Sequence, residues 1–161
     1  MILITGATGN LGSSVIAQLL KVTTKDKFVT TSSNENGVKK LTEQGVNSRL
    51  ANFTDTASLN KAFHSIEKIL LISTMDQNRL EQHKNVIDAA KKQGVKHIVY
   101  TSLAIKNIQT SAVKDLMISH FQTEDYIKAS GLTYTILRNT MYADALAQIL
   151  GENAINQDIN L

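Results

Sequence analysis

The chain has 161 residues, 42% of them hydrophobic and 19% charged, with a net charge of +3. That length supports one domain with a buried core, and the absence of cysteine excludes disulfides and thiolate metal centres. No apolar run approaches the stretch of about 18 residues that a membrane helix needs. The N-terminal MILITG lacks a basic leader, and the lysines are dispersed, with short pairs at Lys39-Lys40 and Lys91-Lys92 in helical patterns. The expectation is a cytoplasmic protein with neither a membrane nor a nucleic-acid partner.

In chain order, Ile2–Thr5 is a first short strand. Gly6-Ala7-Thr8-Gly9-Asn10-Leu11-Gly12 follows it directly. Leu11, Val15, Ile16, Leu19 and Leu20 then recur at helical spacing, which predicts a helix from Asn10 to about Lys21. Phe28–Thr31 is a second strand, 37–44 a helical pattern stopped by Gly45, and Asn47–Leu50 a third strand. Asp55 is placed as the N-cap of a helix ending near Phe63. Ile69–Ser73 opens with the continuous run Ile-Leu-Leu-Ile, suited to a parallel strand buried on both faces. A helix over about 78–93 ends at Gly94, and His97–Thr101 is a fifth strand. A last helix, about 111–130, ends at Gly131 and leads into the strand Thr133–Leu137. Helix, glycine, strand occurs three times, which is the punctuation of βα units with glycine just past the helix end.

Six strands alternating with helices predict an α/β fold: a doubly wound parallel sheet (Rossmann fold) with helices on both faces. Residues 1–150 are read as this nucleotide-binding domain. The polar stretch 151–161 is read as the start of a substrate-side region that the chain does not continue. Ligands in such sheets bind at the carboxyl ends of the strands, where the strand order reverses. The first and fourth strands should flank that point, with the loops 6–12 and 73–77 forming the site. A glycine turn between strand and helix presents backbone N–H groups and a positive helix end to a pyrophosphate. Gly6 allows the tight turn, Gly9 the approach of phosphate, and Gly12 close packing of helix on strand. Thr8 and Asn10 either bond the ligand or cap the helix.

The spacing is G-x-x-G-x-x-G. Together with Gln44-Gly45-Val46, Ile69–Ser73, 82–90 (QHKNVIDAA), 94–102 (GVKHIVYTS) and 134–139 (YTILRN), it resembles the NmrA-like group of atypical short-chain dehydrogenases/reductases. The resemblance runs from Met1 to about Tyr142. It implies NADP as cofactor, with NAD as the alternative, and hydride transfer to a quinone or other aromatic acceptor. It also implies contacts from Gly6, Ala7, Thr8, Gly9, Asn10, Leu11, Gly12, Ser33, Asn52, Ser73, Thr74, Ser102, Arg138, Asn139 and Thr140 to the cofactor.

Several positions depart from that pattern. The end of the second strand, Thr30-Thr31-Ser32-Ser33-Asn34, has neither the acid that bonds a ribose 2′-OH nor the arginine that holds a 2′-phosphate. Ser33 stands where similar reductases carry a basic residue, and Asn52 where an aspartate is usual. The Tyr-x-x-x-Lys pair of typical short-chain dehydrogenases reads Leu116-x-x-x-His120. His120 is therefore read either as a proton exchanger near neutrality or as a structural helix histidine. Asn139 and Tyr142, placed after the sixth strand, are the candidate contacts to the acceptor. No histidine or carboxylate cluster has metal-ligand spacing. The missing tyrosine and the short chain leave a second reading open, a dinucleotide-binding redox sensor without turnover. An open site completed by a homodimer is the corresponding requirement for an enzyme.

Overall fold

The computed structural model describes residues 1–140 and Tyr142. The expected domain boundary at 150 and the stretch 151–161 lie outside the described residues. The elements are β1 (Ile2–Ile4), α1 (Asn10–Val22), β2 (Phe28–Ser32), α2 (Glu35–Glu43), β3 (Ser48–Leu50), α3 (Thr56–Ala62), β4 (Lys68–Leu71), α4 (Arg79–Lys92), β5 (His97–Leu103), α5 (Lys114–Ala129) and β6 (Thr133–Asn139). The sheet is parallel throughout, in the order β3-β2-β1-β4-β5-β6. This is the doubly wound Rossmann order, and it reverses between β1 and β4. Among the described residues no helix is long and apolar enough to cross a membrane.

The central strands β1, β2 and β4 are apolar on both faces because both faces are covered. Leu3, Val29, Ile69, Leu71, Ile98 and Tyr100 point into one core, shared with residues of α3, α4 and α5. Ile4 and Phe28 point the other way, onto Ile16 of α1 and Leu41 of α2. Adjacent residues such as Leu3 and Ile4 therefore enter different cores, as the two-residue period of a strand requires. Gly94 ends α4 with φ +74°: its N–H reaches Lys91 O at 3.1 Å and the Val95 N–H reaches Ala90 O at 3.0 Å. That paired bonding closes a helix on a left-handed residue. Gly45 and Gly131 follow α2 and α5 with φ +74° and +83°.

The element boundaries depart from the sequence expectation for identifiable reasons. The second helix begins two residues early because Asn34 caps it, its Oδ1 accepting from Gly37 N at 2.9 Å. The fourth strand ends at Leu71. Beyond it the Ile72 N–H goes to Thr5 Oγ1 and the Ser73 N–H to Thr101 Oγ1, both at 2.9 Å. Side-chain hydroxyls thus replace the ladder where β4 leaves its neighbours. The last strand extends two residues further than expected, so Arg138 and Asn139 belong to β6, in register with Ser102 and Leu103.

Candidate cofactor site

A cleft of about 610 Å³ opens at the reversal point, over the carboxyl ends of β1, β2, β3 and β4. Gly6, Thr8 and Gly9 form one wall, Ser32 and Ser33 with Asn52 and Phe53 the far end, and Ile72, Ser73 and Thr74 the β4 side. Thr31, Ala51, Thr54, Asp76 and Gln82 complete it.

The glycine turn is built by close approach. Gly6 has φ +61°, and Gly9 N–H closes the turn onto Gly6 O at 3.1 Å. At Gly12 a side-chain Cβ would overlap the Gly6 carbonyl oxygen and lie 2.8 Å from Ala7 Cα. The first turn of α1 therefore sits directly against the loop, and Ala7 is buried beneath it. Gly9 occupies the N-cap of α1 and offers no side chain as acceptor. Asn34 and Asp55, by contrast, cap α2 and α3. An uncapped helix start aimed at a cleft is a ready anion site. A Cβ at Gly9 would meet only Gly6 O, at 3.4 Å, so the turn leaves room for a phosphate to reach the backbone. The cradle fits a dinucleotide.

Seven of the sequence-predicted residues meet at this cleft: Gly6, Thr8, Gly9, Ser33, Asn52, Ser73 and Thr74. Asn52 spends its Oδ1 locally, accepting from Thr54 N at 2.9 Å and Thr54 Oγ1 at 2.8 Å. Thr74 Oγ1 donates to Gln82 Oε1 at 3.3 Å, and Thr74 O accepts from the buried guanidinium of Arg79. Arg79 also reaches Leu116 O and Ser119 Oγ. It ties the β4 side of the cleft to the start of α5. Sequence reading passed over Thr5, Thr101 and Arg79. Only the strand order brings their partners to them.

Ser102 on β5 and Arg138 on β6 meet away from the cleft, on Glu124 of α5; Ser102 and Glu124 are buried and Arg138 is half exposed. Ser102 Oγ donates to Glu124 Oε1 at 2.6 Å. Arg138 grips the same carboxylate with two bonds, Nε to Oε1 at 2.9 Å and Nη2 to Oε2 at 2.6 Å. Burial pushes the Glu124 carboxyl up, but the bonds from Arg138 and Ser102 outweigh it and hold the group below the usual range. Ser102 and Arg138 are thereby committed to protein partners instead of facing the cleft. Asn139 Nδ2 donates to Tyr142 Oη at 2.8 Å, and Thr140 is exposed.

His120 requires a correction. It is buried on α5, and its Nδ1 lies 2.9 Å from Tyr100 Oη, away from the cleft lining. Burial, followed by the nearby charge of Arg79, pushes its pKa down to about 4. It is neutral at pH 7, so proton exchange near neutrality does not fit its surroundings.

Glu124→Gln is expected to lower stability by about 1–3 kcal/mol, since the charged pair with Arg138 is lost while the shape is kept. The midpoint of urea unfolding checks this, and an unchanged midpoint would show that the ion pair between buried Glu124 and half-exposed Arg138 contributes nothing.

A parallel sheet reversing at β1/β4, with a glycine turn feeding an uncapped helix, defines a nucleotide-binding Rossmann domain. The chain belongs to the NmrA-like family, which it matches over residues 1–160. It is 41% identical over 145 residues to quinone oxidoreductase 2 of Escherichia coli K12, covering 89% of this chain and 50% of that protein. The solved NADPH complex of the NADPH-dependent quinone oxidoreductase from E. coli superimposes with a TM-score of 0.83 at 41% identity, covering 95% of this chain and 54% of that one. Triphenylmethane reductase of Citrobacter sp., solved with NADP(H), gives a TM-score of 0.82 at 38% identity, covering 91% and 51%. The chain spans about half the length of these relatives.

Proposed function

We propose that this chain is the NAD(P)-binding part of an oxidoreductase that passes hydride to a quinone or other aromatic acceptor. The observation that carries the proposal is the glycine turn packed against the uncapped α1 at the β1/β4 reversal. In this reading the loop from Gly6 to Gly12, including Ala7, Asn10 and Leu11, receives the pyrophosphate. Ser33 and Asn52 take the adenosine end, and Ser73 and Thr74 the middle of the cofactor. Asn139 and Tyr142 face the acceptor, with Thr140 beside them. The nicotinamide, when bound, supplies the hydride; the protein's part is alignment of donor and acceptor. The identity of the relatives as reductases supports the reaction class.

One observation favours the second reading, a dinucleotide-binding sensor. Of the residues lining the cleft only Asp76 is ionisable, and Asp76 Oδ1 already accepts from Asn78 N at 2.7 Å. The cleft lining therefore includes no histidine, lysine or tyrosine to supply a proton.

Titration with NADPH and NADH, followed by quinone-dependent oxidation of the bound nucleotide, separates the readings. The expected result is a micromolar Kd with slow turnover. Tight binding without turnover would favour the sensor, and failure to bind either nucleotide would overturn both.

A further inference from the structure

We infer that the ribose end of this cleft does not discriminate between NAD(H) and NADP(H), and that Ser33 is the position that sets the discrimination. The inference rests on the dinucleotide reading above and goes beyond it by assigning specificity to one residue.

Recognition of the adenosine ribose needs an acid for a free 2′-OH or a cation for a 2′-phosphate. The cleft provides neither. None of its lining residues is Lys, Arg or His, and its one acid, Asp76, stands on the β4 side. The neighbouring cations do not line the cleft. Lys39, on α2, lies 3.9 Å from Glu43 and is 77% exposed. Arg49, on β3, donates through Nη1 to the carbonyls of Ala62 and His64.

The polar groups at the end of β2 are mostly fixed as well. Ser32 is buried, and its Oγ fills the space where a Cβ of Gly37 would stand. Asn34 Oδ1 is used in capping α2. Thr31 is buried with its hydroxyl turned to Ile4 O. Ser33 differs from all of these: it lines the cleft, it is exposed, and its hydroxyl has no partner among the described residues. A hydroxyl accepts from a ribose 2′-OH or donates to a 2′-phosphate equally readily. Two weak fields act nearby with opposite sign. The positive end of α2 favours a phosphate, and the Glu35 carboxylate in its first turn disfavours one. Neither decides the choice.

The test is the ratio of the Kd values for NADPH and NADH, read by nucleotide fluorescence, in wild type, Ser33→Arg and Ser33→Asp. Wild type should hold the two within about fivefold, since no charged hydrogen bond separates them. S33R should tighten NADPH relative to NADH by about tenfold or more, the scale of one added charged hydrogen bond. That gain should shrink with added salt, because the new pair is exposed. S33D should shift the ratio about tenfold the other way. Because Ser33 is exposed and without hydrogen bonds among the described residues, both variants should keep the wild-type melting temperature. A wild-type preference beyond about tenfold, or a ratio that neither variant moves, overturns the inference while leaving dinucleotide binding standing. Failure of wild type to bind either nucleotide overturns the underlying reading as well.

Discussion

Replacing Gly12 by alanine is expected to weaken nucleotide binding by about a hundredfold, the equivalent of nearly 3 kcal/mol. The added methyl would overlap the Gly6 carbonyl oxygen and press on Gly6 C and Ala7 Cα, each 2.8 Å away. All three are backbone atoms of the glycine loop, so no side chain can turn aside. The helix start must lift from the loop, and the donors aimed at the cleft move with it. Overpacking of this kind costs about 1–3 kcal/mol of stability, partly offset by the better helix propensity of alanine, up to about 1 kcal/mol. Gly94→Ala is the matched control. Nothing lies within 4 Å of a Cβ there, but φ is +74°, so stability should fall by about 1 kcal/mol and binding should be unchanged. Isothermal titration of both variants with NADPH separates the effects. A Gly12→Ala protein that binds like wild type would show that the loop tolerates displacement.

Acidification is expected to destabilise the protein between about pH 6.5 and pH 4, by on the order of 3 kcal/mol for each of two buried histidines. His83 and His120 lie in the seam between α4, α5 and β5. Burial, then the charges of Arg79 and of His120, pushes the pKa of His83 down to about 3. His120 is held near 4 by burial and Arg79. Thr123 Oγ1 donates its proton to Ser119 O at 2.8 Å, so it accepts from His83 Nδ1, 3.1 Å away. The His83 Nε2 is then left as an acceptor with no partner among the described residues. A proton added there would be buried beside a guanidinium. The unfolded chain takes up protons on both rings near pH 6.5, whereas the folded chain does not until near pH 4 and below. Stability is therefore fully present above about 6.5 and falls as pH drops. Urea unfolding at a series of pH values measures the slope. His120→Gln should flatten it by roughly half, since one of two similar titrations is removed. A slope untouched by that change would place the acid sensitivity in other groups, such as the carboxylate of Glu124.

Much of the fold could be read locally. Ile2-Leu3-Ile4 followed by glycines, and Ile69-Leu70-Leu71-Ile72 bounded by polar residues, are patterns that a buried parallel strand requires over a few residues. Gly45, Gly94 and Gly131 ended helices where expected, because a left-handed residue after a helix is a local backbone demand. Boundaries were misjudged where a side chain competed with the pattern. Asn34 drew the start of α2 forward, and the hydroxyls of Thr5 and Thr101 took over the backbone beyond β4.

The sequence by itself determined the alternation of strands and helices, the place of the glycine turn, and hence the side of the sheet on which a ligand binds. These follow from dihedral preferences and apolar periodicity, which act between near neighbours in the chain. Only the tertiary structure decided what the polar residues do. Ser102, Glu124 and Arg138 close on one another, and His120 turns to Tyr100 inside the core, because the strand order brings β5, α5 and β6 together. Ser33 is left exposed in the cleft without a charged neighbour on its wall. Whether a polar side chain meets a ligand or a protein partner depends on contacts between distant segments, and no local pattern encodes those.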